Sequence, residues 1–72
     1  MSHFNSEEEC RKSIEEWSRF TSQGQIRQLR HAIEGTELDL MYYEEKGSER
    51  GIKRCAKCLE ILNTRLDFLS GD

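Results

Sequence analysis

From Ile26 onward the apolar residues of this chain recur every three and four positions, and no other feature restricts its fold as strongly. With Ile26 at position a of a heptad, Ile26, Leu29, Ile33, Thr36, Leu40 and Tyr43 occupy a, d, a, d, a, d. The count restarts after Lys46-Gly47-Ser48, where Ile52, Cys55, Leu59, Leu62, Leu66 and Leu69 repeat it. Such a repeat draws one apolar stripe along a helix. Two stripes joined by a short turn bury each other in an antiparallel hairpin. The alternating Val, Ile and Thr pattern of strands is missing, and the chain has no proline. The expected class is all-α: a short N-terminal helix packed on a long antiparallel helical hairpin with a coiled-coil-like seam.

Residues 1–5 read as a flexible arm and 6–72 as a single helical domain. Within it, helix 1 is expected at about 7–20, helix 2 at about 23–46 and helix 3 at about 49–69. Ser6 with Glu9 makes a capping box, and Glu7, Glu8 and Glu9 fill the first turn, where the helix dipole favours negative charge. Ser22 with Gln25 offers a second box for helix 2. Gly35 interrupts that helix, yet the heptad stays in phase across it, which predicts a kink or a close approach and no break. Gly47 suits the residue after a helix C-terminus, and Ser48 suits an N-cap. Glu44 and Glu45, then Arg50, Lys53 and Arg54, each carry the wrong sign for their own helix dipole. In a hairpin these two ends are neighbours, so the acidic end is expected to face the basic one.

A chain of 72 residues builds a small core and usually needs a staple or a partner. Three cysteines are an odd number, and no apolar leader follows Met1-Ser2-His3-Phe4, so no disulfide framework and a reducing cytoplasm are expected. Apolar runs are too short for a membrane span. A net charge of −3 with both signs interspersed favours solubility over a polyanionic partner.

Cys55 and Cys58 form a Cys-x-x-Cys pair inside a helix, but zinc needs two further ligands. Cys10, His3 and His31 supply no second pair at ligand spacing. Nor can a nucleophile, base and orienting group be assembled from two histidines and scattered carboxylates. No metal, cofactor or catalytic site is expected, and the chain does not read as an enzyme.

The informative residues are apolar ones off the seam. Leu38, Met41 and Tyr42 form a second face of helix 2, Ile61 and Phe68 lie seven apart in helix 3, and Trp17 lies in helix 1. Tyr, Met and Trp are enriched where proteins bind one another. These six are the expected partner-binding residues, the partner being another protein or a second copy in a homodimer. The expected role is an adaptor, chaperone-like binder or inhibitor. The alternative is a dimeric helical nucleic-acid binder using Arg50, Lys53, Arg54 and Lys57 on helix 3, although nucleic acid is not the favoured partner.

Glu37-Leu38-Asp39 resembles part of the Ser-Gln-Glu-Leu-Asp signature of small helical-hairpin phosphatases acting on sporulation response regulators. There the signature lies in the second hairpin helix of a shorter chain, whereas a full helix follows it here, so no phosphatase role is carried over. In outline the chain also resembles the small cochaperones that guard needle subunits of type III secretion systems. That resemblance implies a scaffold able to cover an apolar helix of another protein.

Overall fold

A computed structural model describes residues 4–71 and contains three helices: α1 (Glu7–Trp17), α2 (Ser22–Lys46) and α3 (Glu49–Ser70). No strand occurs among the described residues. Helices α2 and α3 run antiparallel, with Tyr43 beside Arg54 at one end and Gln25 beside Arg65 at the other. The shorter α1 packs on both, and the molecule measures 38 × 21 × 16 Å. The expected all-α hairpin with a packed N-terminal helix is the fold of the chain.

The turn between α2 and α3 is set by two residues. Gly47 takes the left-handed conformation at φ 69°, which an L side chain resists. Its N–H bonds the Glu44 carbonyl at 3.2 Å, and the Ser48 N–H bonds the Tyr43 carbonyl at 3.0 Å. This is a Schellman closure, which satisfies carbonyls that the helix end leaves open. Ser48 then caps α3 directly, its hydroxyl accepting from the Gly51 N–H at 3.3 Å. With no slack in the connection, the two helices must fold back on each other.

The first turn differs from expectation. Thr21, and not Ser22, is the N-cap of α2, its hydroxyl accepting from the Gly24 N–H at 3.1 Å. Gln25 is therefore free of capping. Its amide nitrogen donates to the Phe20 carbonyl at 3.1 Å, and its amide oxygen accepts from Arg65 at 3.3 Å. One partly buried amide thus ties the turn to both helices. Helix α2 continues unbroken through Gly35. Helix α1 stops at Trp17, and residues 18–20 finish as a tight turn, with Phe20 N–H on the Trp17 carbonyl at 2.8 Å.

The heptad locates the seam but not its deepest row. The d residues Leu29, Thr36, Cys55 and Leu62 are buried, while the whole a row (Ile26, Ile33, Leu40, Ile52, Leu59, Leu66) is only half-buried. The other buried positions, Gln25, Ala32, Gly51 and Cys58, all fall on g. Helix α1 lies along that flank, which moves the centre of the core from a/d to d/g. Buried Thr36 satisfies its own hydroxyl by donating to the Ala32 carbonyl at 2.7 Å.

Two further expectations are corrected. Phe4, assigned to the flexible arm, is buried in the core with Cys10 and Leu62. Residues 1–3 of that arm, His3 among them, lie outside the described residues. At the second turn, Glu44 and Glu45 form no ion pair with Arg50 or Lys53 among the described residues. Arg54, the third of those basic residues, does reach across that end: its guanidinium lies 5.3 Å from the Tyr43 ring centre and donates to the Tyr43 hydroxyl at 2.7 Å. An aromatic ring with a hydroxyl holds a guanidinium by its face and its oxygen together, which a flexible, solvated carboxylate at a helix end does not match.

Candidate functional site

Packing buries all three thiols of the chain, the free cysteines Cys10, Cys55 and Cys58. Cys58 meets Cys10 of α1 as well as sharing a Cys-x-x-Cys motif with Cys55. The Cys10 thiol points at the Cys58 carbonyl at 3.9 Å, and the Cys58 thiol points at the Ser6 carbonyl at 4.0 Å. These contacts clamp the start of α1 on the middle of α3. Burial, reinforced by the neighbouring Cys58, pushes the Cys10 thiol up to about 12. Burial also raises Cys55, with the Asp39 carboxylate adding to it, and burial raises Cys58. Protonated buried thiols are poor nucleophiles and poor metal ligands. Among the described residues no three His, Cys, Asp or Glu side chains converge as a metal site.

The six expected contact residues fall into three settings. Leu38, Met41 and Tyr42 come together on the outer face of α2, 66%, 61% and 50% exposed. They occupy heptad positions f, b and c, pointing away from the seam, where neither α3 nor α1 can cover them. They line a shallow depression with Glu44 and Glu45. The edge of the Tyr42 ring meets Tyr43, with centroids 5.5 Å apart, and the Lys46 ammonium lies 5.8 Å from the Tyr42 centroid. Tyr43 and the Lys46 ammonium over the ring thus flank Tyr42, which still keeps half of its surface exposed.

Ile61 and Phe68 lie on another face, in a groove between α1 and α3 that also includes Arg11, Ile14 and Arg65. Phe68 is 71% exposed, and the Arg65 guanidinium lies 5.0 Å from its ring centre. Ile61 packs partly against the core. Trp17 is half-buried, packing from the end of α1 against that same core. The exposed residues among the six thus form two separate patches, one on α2 near the second turn and one on α1 and α3 toward the other end.

On the basic side, Arg50, Lys53 and Lys57 are exposed on α3, whereas Arg54 is half-buried against Tyr43. His31 is exposed on α2. No described helix is long and apolar enough to cross a membrane.

The sequence reading passed over Ile14, Arg11 and Arg65, because only the docking of α1 brings them beside Phe68. Glu44 and Glu45, expected to face the basic start of α3, line the depression beside Leu38, Met41 and Tyr42, and the b and e positions of the α2 heptad place Glu34 and Glu37 on the same side. No protein family, curated protein or solved structure matches the chain.

Proposed function

We propose that this chain is a small protein-binding module with no chemistry of its own, acting as an adaptor, chaperone-like binder or inhibitor of a larger protein. One observation carries this reading. Three large apolar side chains, Leu38, Met41 and Tyr42, stand at least half exposed side by side on the solvent face of a helix whose other face packs on α1 and α3. A clustered apolar patch of this kind marks binding surfaces, whereas isolated exposed apolar residues need no explanation. Tyrosine adds a rigid ring with a polar tip, and methionine adds a side chain that adapts to irregular partners. Three free cysteines favour a reducing cytoplasm as the working compartment.

The test compares wild type with Met41→Ala and Tyr42→Ala in pull-downs, alongside thermal melts followed by circular dichroism. The expected outcome is unchanged melting with loss of the specifically captured protein. Capture that survives both substitutions in folded protein would show that the stripe is not the contact surface.

A further inference from the structure

The charges around the α2 stripe say what kind of partner fits it, and this step rests on reading the stripe as a docking surface. Glu34 lies four residues before Leu38 and Glu45 four residues after Met41, so both are in line with the apolar side chains. Glu37 and Glu44 run along one flank. All four carboxylates are exposed, and among the described residues none of them forms an ion pair. Lys46 bounds the opposite flank over Tyr42, and Arg30 and His31 lie beyond the N-terminal end. The apolar stripe is therefore bordered by carboxylates at both ends and along one flank, with Lys46 on the other.

That frame discriminates between occupants. A second copy docked antiparallel about a two-fold axis would set these carboxylates against their own image, and like charges brought together oppose binding. Nucleic acid would bring phosphates to the same carboxylates. A cationic segment gains on both counts: its charge is steered in, and its apolar residues cover Leu38, Met41 and Tyr42.

We propose that the stripe binds an amphipathic helix of a partner protein, with apolar residues at i, i+3 or i+4 and i+7 and Lys or Arg on either side. The apolar contact supplies the affinity, and the carboxylates select for charge and speed association. The unbranched Met41 side chain lets the surface accept helices that differ in detail.

The test uses a displayed library of 18-residue helical peptides with a fixed apolar stripe and flanking positions drawn from Lys, Arg, Glu and Gln. It is selected on wild type, on a Glu34→Gln/Glu37→Gln/Glu44→Gln/Glu45→Gln variant and on Tyr42→Ala, each checked by thermal melting. Wild type is expected to enrich Lys- and Arg-rich peptides. The best of them should bind the quadruple variant about tenfold more weakly at low salt, with the difference shrinking at high salt. Selection of neutral or acidic peptides whose binding is lost in Tyr42→Ala would overturn the cationic partner and leave the docking surface standing. No enrichment at all, or enrichment indifferent to Tyr42→Ala, would overturn both.

Discussion

A methyl group on Gly51 would run into the Tyr43 ring, its Cβ 2.8 Å from Cδ2 and nearer still to Cγ. In an exposed helix, glycine to alanine stabilises by about 1 kcal/mol. Here the ring is held by Arg54, so the added carbon must displace a fixed group, an overpacking cost of about 1–3 kcal/mol. Gly51→Ala should therefore lower stability in urea titrations. In a Tyr43→Ala background the obstacle is gone and the same change should stabilise, a reversal of sign that a generic helix effect cannot give. Cys10 offers a second residue-scale test. Its thiol is raised from 9.0 to about 12 by burial, so the folded state keeps a proton that the unfolded chain gives up earlier. Stability from this group is intact below about pH 9 and is lost as pH rises toward about 12. Melting temperature should fall across that window, and Cys10→Ala should flatten the fall even if it lowers stability at neutral pH.

Among the elements, the hairpin was legible because its evidence is local: a heptad within each helix, Gly47 after the first and Ser48 before the second. The d row was legible for the same reason. What local periodicity cannot carry is which flank α1 covers, since that depends on contacts such as Cys10 with Cys58, 48 positions apart. The half-buried a row, the buried g row and the groove beside Phe68 all follow from that one placement. Phe4 was misplaced likewise, because a single aromatic before an N-cap has no period to betray its burial. The cap of α2 was ambiguous at the level of residue type, since Thr21 and Ser22 both carry a hydroxyl. The Thr21 hydroxyl takes the Gly24 N–H. Thr21→Ala should accordingly cost about 0.5–2 kcal/mol and Ser22→Ala much less, as measured by chemical denaturation.

For the molecule as a whole, two leucines separate what holds the fold from what is left over for binding. Leu62 is fully buried where all three helices meet, and Leu38 is 66% exposed. At about 0.05–0.15 kcal/mol per residue, a chain of 72 residues has only about 4–11 kcal/mol of stability in total. Leu62→Ala removes about 2–5 kcal/mol through lost burial and the cavity left behind, so it should bring the domain near its unfolding limit at room temperature. Leu38→Ala deletes the same atoms from the surface, where the change should stay within about 0.5 kcal/mol. Urea unfolding followed at the helical circular-dichroism signal measures both. A large gap between the two variants is what an open stripe outside the packed core requires. Equal costs would mean that Leu38 is packed in solution, and the docking surface on α2 would then not exist.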